Sequence, residues 1–256
     1  MKDKYFGDQT DYIKHGILRS ICNSGIPLGI HWTWTPDDST TDGSRTAYLR
    51  AAHHWRRFDP RLFDAISDSL RAGRRTLKVL LEQDLLPGAV LCFDEWGRDF
   101  HARRRSLEGF TSQLAPNSFV FLDPDNGLEV ASIPPGAPAS TKYVYFDEVR
   151  QVWGKGHSLM IYQHFPRVNR RKYVLERLNQ LTADLPYSRA LAILTSHVAF
   201  LGVLQENGAV PLWQVLVRTV ARWAPHVQLL HRTDGGTLVD VPLPSLSQSP
   251  QAELQL

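Results

Sequence analysis

SFVFLDPDNG, residues 118–127, decides the fold. Phe119, Val120, Phe121 and Leu122 are apolar without alternation, the pattern of a strand covered on both faces. The run ends abruptly in Asp123-Pro124-Asp125-Asn126-Gly127. Proline fixes φ there, and Asn-Gly takes left-handed turn angles readily. Two meanings stay open for this tip. It is an Asx turn that closes a strand, or it presents Asp123 and Asp125 to a ligand, either a substrate amine or a divalent cation.

Similar runs recur along the chain. PLGIHWTW (27–34), AVLCF (89–93), SLMIYQHF (158–165), ALAILT (190–195) and VAFLGVLQ (198–205) all read as strands. Helical periods separate them. One helix begins at Thr10 or Asp11 as N-cap and stops at Gly25. Residues 44–82 read as two or three helical pieces broken near Asp59-Pro60. RDFHARRRSLEGFTSQL is a basic helix, DEVRQVW a short one ended by Gly154, and Asn169 caps another. Pro211 stands near the start of a helix over 212–223. This alternation predicts an α/β, three-layer Rossmann-like fold: a mostly parallel sheet with helices on both faces and a C-terminal antiparallel strand pair joined at Ser196-His197. One domain over 1–241 is expected, with a helical insert near 44–85. The Pro/Ser/Gln-rich residues 242–256 are expected to form a flexible tail.

In such sheets ligands sit beyond the carboxyl ends of the strands. Four polar tips are then expected on one edge: Thr35-Pro36-Asp37-Asp38, Asp94-Glu95, Asp123-Pro124-Asp125-Asn126 and Gln163-His164-Phe165-Pro166-Arg167. His164 suits a general base because histidine titrates near neutrality. Asp37, Asp38, Asp123 and Asp125 could hold Mg2+ or Mn2+ if the tips meet, since hard cations need several carboxylate oxygens. On the first helix Asp11, His15 and Arg19 share a polar face, and Lys14 lies nearer the apolar one. Trp32 and Trp34 read as core, and Asp147-Glu148 as acids that favour a helix N-terminus.

The 256 residues carry 29 basic and 26 acidic side chains, a net charge of +3, so overall charge does not argue for a nucleic-acid partner. Local clusters do: Arg103-Arg104-Arg105, and Arg167 with Arg170-Arg171-Lys172, could follow an RNA or DNA backbone, or form solvated helix faces. Cys22 and Cys92 form no Cys-x-x-Cys pair, which excludes a zinc ribbon or a thioredoxin-type site and suits a reducing compartment. The opening residues MKDKYFGDQTDY carry no apolar signal core, and no stretch approaches the roughly 18 uninterrupted apolar residues of a membrane span. A cytoplasmic protein without membrane contact is the expectation.

The carboxylate-Pro tip after a central strand resembles motif IV of amino-group methyltransferases. The chain further resembles the bacterial large-subunit ribosomal RNA adenine N6-methyltransferase J family. Gly7-Asp8-Gln9-Thr10-Asp11-Tyr12-Ile13-Lys14-His15 is similar to that family's N-terminal Gly-Asn-His-Ala-Asp-x-x-Lys-His run. The order of helix, strand, helical insert with TAYLRAAHHW, DP tip and C-terminal strand pair is similar too, over most of residues 5–205. It is also similar to bacterial proteins carrying GDxxDYxKHG, TPDD and FDPDNGLE. The resemblance implies a class I methyltransferase fold that binds S-adenosylmethionine, with Asp123 accepting an adenine amino proton beside the Pro124 carbonyl. It places Lys14 near the cofactor or substrate. Two positions differ from the family. Its glycine-rich loop after the first strand is here TPDDSTTDG, with Gly43 alone at the end. Its second proline and aromatic are Asp125 and Asn126, so a base-stacking contribution of about 1–3 kcal/mol is absent at that place.

The expected site therefore has Asp123, Pro124, Asp125, Asn126 and His164 in the chemistry. Lys14, His15, Thr35, Asp37, Asp38, Asp94 and Glu95 stand on the cofactor side. Arg103, Arg104, Arg167, Arg170 and Arg171 contact substrate. A metal-dependent nuclease or hydrolase, and a non-catalytic binding module with the same fold, are the alternatives.

Overall fold

A computed structural model describes residues 1–37, 42–185 and 188–244. The chain order is α1 (Gln9–Cys22), β1 (Leu28–His31), α2 (Ala52–Trp55), α3 (Pro60–Arg71), α4 (Lys78–Glu82), β2 (Val90–Cys92), α5 (Phe100–Thr111), β3 (Phe119–Leu122), β4 (Gly127–Leu128) and β5 (Tyr143–Val144). It continues as α6 (Phe146–Trp153), β6 (Ser158–His164), α7 (Arg170–Thr182), β7 (Arg189–Leu194), β8 (Val198–Leu204), α8 (Ala209–Trp223), β9 (Gln228–Arg232) and β10 (Leu238–Asp240). An eight-stranded sheet runs in the order β10-β9-β7-β8-β6-β3-β1-β2. β2, β1, β3 and β6 pair in parallel. β8 is antiparallel to both β6 and β7, and β9 to both β7 and β10. Only β8 and β9 therefore run against the rest, and the sheet is mostly parallel. The short β4 and β5 pair beside it.

The uninterrupted apolar runs are explained by two cores. Phe119 and Phe121 of β3 point into one, and Val120 and Leu122 into the other. Met160 on β6 faces the first core, while Leu159 and Ile161 face the second. Residues of α1, α3 and α8 fill the first, and residues of α5, α6 and α7 the second. Helices thus cover both faces. α1 lies against α8 and α3. The α1–α8 approach is close enough that a Cβ at Gly16 would strike the Trp223 ring.

Several local expectations shift. The N-cap of α1 is Asp8, whose carboxylate accepts from the Thr10 N–H at 2.9 Å, and not Thr10 or Asp11. Asp59 caps α3 with Pro60 in its first turn, and Asn169 caps α7. β9 and β10 extend the sheet beyond the expected strand pair. The polar face expected on α1 is not solvated. Asp11, Lys14, His15 and Arg19 are all buried, because α1 is sandwiched between the sheet and two helices. Of the expected tail, Leu243 packs on the first core; residues 245–256 lie outside the described residues. No helix among the described residues is long and apolar enough to cross a membrane.

Candidate functional site

β3 delivers Asp123 to the carboxyl edge of the sheet, and its neighbours lock it there. The Asp123 N–H donates to the His31 carbonyl at 3.0 Å. Its carbonyl accepts from Thr33 Oγ1 at 2.7 Å. Its carboxylate Oδ2 accepts from Lys14 Nζ at 2.7 Å. The turn that follows is fixed as firmly. The Asn126 N–H donates to the Lys142 carbonyl, and the Asn126 carbonyl accepts from the His164 N–H, both at 2.9 Å. Gly127 has φ +131°, and a Cβ there would run into the Gln163 amide. Backbone geometry and crowding both call for glycine.

A cavity of about 670 Å³ opens at this edge. Asp123, Pro124, Asp125 and Asn126 form its floor. Asp8, Asp11 and Lys14 come from the start of α1, Asp42, Gly43 and Arg45 from the loop after β1, and Tyr162, His164 and Phe165 from β6 and its tip. His197 enters from the β7–β8 turn, and Lys142 from the segment before β5.

Its walls are densely charged and largely self-paired. Lys14 Nζ lies 2.5 Å from Asp11 Oδ1 and 2.7 Å from Asp123 Oδ2, with the Tyr162 ring 5.8 Å away. Burial alone would lower the Lys14 ammonium, but the two carboxylates reverse this and raise it. Two buried carboxylates sharing one cation leave excess negative charge, and one of them then holds a proton more readily. Asp11 does so. Burial pushes it up to about 7, against the lowering pull of Lys14, and Asp123 adds to the rise. Asp11 Oδ2 has no hydrogen-bond partner, with His15 Nδ1 3.6 Å away. His15 itself is held neutral, well below the usual histidine range, by burial and by the charges of Lys14 and Arg19. Arg45 grips Asp8 through Nη2 at 2.9 Å and Nε at 3.1 Å.

The Asp11 carboxyl gives a pH prediction. Its ordinary value is 3.8 and its folded value about 7. Between these values the folded chain holds a proton that the unfolded chain has released, so stability falls as pH rises through this window. Urea midpoints measured from pH 4 to pH 7 are expected to show that decline, and Asp11→Asn is expected to make it shallower, with the part due to the buried Glu148 carboxyl, also raised to about 7, remaining. A slope unchanged in the variant would refute the assignment.

Asp125 is engaged differently. Its carboxylate lies 2.9 Å from the Met1 ammonium and 3.0 Å from Lys2 Nζ, and it accepts from Thr35 Oγ1 at 3.2 Å. Burial would raise it, but the two cations hold it below the usual carboxylate range. His164 stands at the mouth, its Nε2 3.3 Å from the Tyr162 hydroxyl. Desolvation lowers its pKa, against the pull of Asp125.

The four strand tips do not all meet. Asp94 and Glu95 stay outside the cavity: Asp94 accepts from Ser106 at 2.5 Å, and Glu95 bridges to Trp34. Trp96 occupies the neighbouring space, its ring 4.9 Å from His31 and its Nε1 donating to the Tyr143 carbonyl at 3.2 Å. Thr35 is buried on Asp125, and exposed Asp37 accepts the Lys4 N–H. Asp38 lies outside the described residues. Of the cation site expected of Asp37, Asp38, Asp123 and Asp125, the described residues show Asp123 paired with the Lys14 ammonium and Asp125 with those of Met1 and Lys2, while Asp37 stands on the Lys4 N–H. No group of three or more potential metal-ligating side chains occurs among the described residues. His15 faces Trp32 beneath the cavity and does not line it.

Arg103 is corrected most sharply. It is 2% exposed and bonds to Glu148, so it cannot reach a substrate. Arg104, Arg167, Arg170 and Arg171 are exposed, with Arg171 paired to Asp240 and Arg170 lying 5.1 Å from the Phe165 ring. Sequence reasoning missed Asp8, Arg45, Lys142 and His197 as lining residues. It also missed Tyr162, although the two-residue spacing puts Tyr162 on the same strand face as His164.

His31, Ser106 and Asp94 form a second polar chain outside the cavity. His31 Nδ1 accepts from the Thr33 N–H at 3.1 Å, which puts the ring proton on Nε2, 3.4 Å from Ser106 Oγ. Ser106 in turn donates to Asp94. The histidine gives a proton to the serine and takes none, the reverse of nucleophile activation.

No family model and no curated protein matches this chain. Among solved structures, an ABC transporter substrate-binding protein from Desulfitobacterium hafniense, in complex with Leu, shares 7% identity over 90% of this chain and 65% of its own, at a TM-score of 0.24. A likeness at that level carries no structural or functional argument.

Proposed function

We propose that this chain is an S-adenosylmethionine-dependent methyltransferase acting on an amino group, that of an adenine in RNA or DNA being the substrate the resemblance implies. The observation that carries the reading is Asp123: a carboxylate at the end of a central parallel strand, held by a buried lysine and facing a cavity. The sheet supports the finer fold assignment, a class I methyltransferase fold. Four parallel strands are followed by the reversed β8 between β6 and β7, which is the C-terminal antiparallel pair that this fold implies.

The residues present fit the cofactor. Its zwitterionic tail and nucleoside need both signs of charge and flat apolar surface. The cavity offers Arg45 and Lys142 for a carboxylate, Asp42 for cationic groups, and the rings of Tyr162 and Phe165. Its volume lies inside the range of about 300–1,000 Å³ usual for small-molecule sites. S-adenosylmethionine supplies an electrophilic methyl group when bound. Asp123 accepts an N–H of the substrate amine, and with the Pro124 carbonyl it orients the nitrogen lone pair. Lys14 fixes the rotamer of Asp123 and balances its charge. Asn126 stands where the related motif carries an aromatic, and Phe165, at the adjacent β6 tip that lines the same cavity, supplies a stacking face with Arg170 beside it. Arg104 and Arg167 offer exposed charge for phosphates.

Calorimetric titration of S-adenosylmethionine into the metal-free protein tests this reading. Saturable binding at micromolar concentration, weakened in Arg45→Ala, is the expected result. An absence of saturable heat with both S-adenosylmethionine and S-adenosylhomocysteine would overturn it.

A further inference from the structure

The helical insert and the far end of the sheet meet at two histidines. His54 is on α2, and His226 is in the turn between α8 and β9. Their Nε2 atoms face each other at 3.2 Å. Packing fixes both rings: His226 stacks on Trp55 at 4.0 Å and meets Phe58 edge-on at 5.1 Å, while His54 lies edge-on to Trp55 at 5.6 Å. Both are half-buried, so water reaches the pair from one side.

We propose that His54 and His226 form a two-histidine site for a borderline transition metal, Zn2+ in the first instance, with water completing the coordination. Two nitrogens each about 2.0–2.1 Å from a tetrahedral zinc lie about 3.3–3.4 Å apart. The observed Nε2–Nε2 spacing of 3.2 Å is close to that bite, and a small rotation of the two rings would turn both lone pairs onto one metal. The ligands come from segments 172 positions apart in sequence, and no local turn or helix spacing brings them together. The Arg57 guanidinium lies 5.0 Å from the Phe58 ring, which packs edge-on against His226. Imidazole suits Zn2+, Cu2+ and Ni2+, whereas Mg2+ and Ca2+ need oxygen ligands that the pair lacks. The Arg57 charge opposes a dication, which sets the expected affinity in the micromolar range. The metal would clip the insert to the α8–β9 turn. The methyl-transfer reading plays no part in this inference.

The same distance also serves a direct hydrogen bond from one ring to the other, and experiment separates the two. The full chain, without an affinity tag and stripped of metal, is titrated with ZnCl2 by calorimetry, and its melting temperature is followed with and without zinc. A single saturable site and a zinc-dependent rise in melting temperature are expected. Both should be lost in His54→Gln and in His226→Gln, with affinity falling by more than the roughly 10–100-fold that loss of an outer-shell partner costs. The exposed neighbour His53→Gln should leave both unchanged. Circular dichroism establishes that each variant is folded. Should His226→Gln fail to fold, the half-exposed His54→Gln decides alone. No saturable binding by the wild-type chain, or binding that survives the loss of His54, would overturn the proposal and leave a hydrogen-bonded pair.

Discussion

Asp123→Asn is expected to lower methyl transfer by roughly 10²–10⁴-fold, the range for loss of a positioned acid–base group. Transfer from labelled S-adenosylmethionine into unmodified transcribed RNA is the measurement. Asparagine has the shape of aspartate, so the turn at residues 123–127 and the backbone bonds to His31 and Thr33 survive. Only the acceptor changes. The amide presents a donor where the amine proton should go, and it forms only a weak partner for Lys14, which keeps its ion pair to Asp11. Cofactor affinity should therefore stay within a few-fold while turnover collapses. Lys14→Met is the companion experiment. It leaves Asp123 in place but removes the cation that orients it, so a smaller loss is expected, together with a changed pH profile because Asp11 is no longer paired. If Asp123→Asn turned over at the wild-type rate, the carboxylate would be a structural strut and the proposed chemistry would fall.

The part of this site that was legible in sequence is the part built by local pattern. The apolar run 119–122 and the Asp-Pro-Asp-Asn-Gly break placed Asp123 at a strand tip because burial on both faces and turn chemistry are written in adjacent residues. His164 followed from the same argument. Asp11 and Lys14 were visible as neighbours on one helix, but their burial was not. It comes from α3 and α8, whose segments lie far along the chain. Arg45, Lys142 and His197 reach the cavity from loops, where no period marks the direction of a side chain. The expectation at Asp94 and Glu95 failed for a related reason: a tip faces a ligand only if nothing else fills the space, and Trp96 fills it. β9 and β10 are short and sit at an edge, with half-exposed residues such as Leu238 and Val239, so they lack the continuous apolar signature of the central strands.

Arg103→Ala is expected to destabilise the fold by about 3–5 kcal/mol, the cost of leaving a buried charge without its partner. Against a total stability of about 5–15 kcal/mol this approaches global unfolding. Arg103 gives two hydrogen bonds to Glu148, at 2.8 and 2.7 Å, and others to the carbonyls of Ser140 and Tyr143. Its guanidinium lies 4.1 Å from the Trp96 ring. One side chain thus ties α5 to α6 and to the segment that leads into β5, which carries Lys142 to the cavity. The triple arginine run suggested a solvated or phosphate-binding face, but the helical period distinguishes its members: Arg103, Leu107 and Phe110 are buried together, while Arg104 and Arg105 are exposed. Burial raises the Glu148 carboxyl to about 7 and lowers the Arg103 guanidinium. Desolvation therefore outweighs the attraction between them. The pair is costly to break from one side, and burial offsets the attraction within it. Replacing both members, Arg103→Met with Glu148→Leu, is accordingly expected to recover most of the loss, since apolar replacement of buried ion pairs is often neutral or stabilising by about 1–4 kcal/mol. Urea unfolding of the two single variants and the double variant decides. An Arg103→Ala midpoint within about 0.5 kcal/mol of wild type, the range for ordinary surface changes, would mean that the side chain is solvated after all and would restore it as a candidate substrate contact.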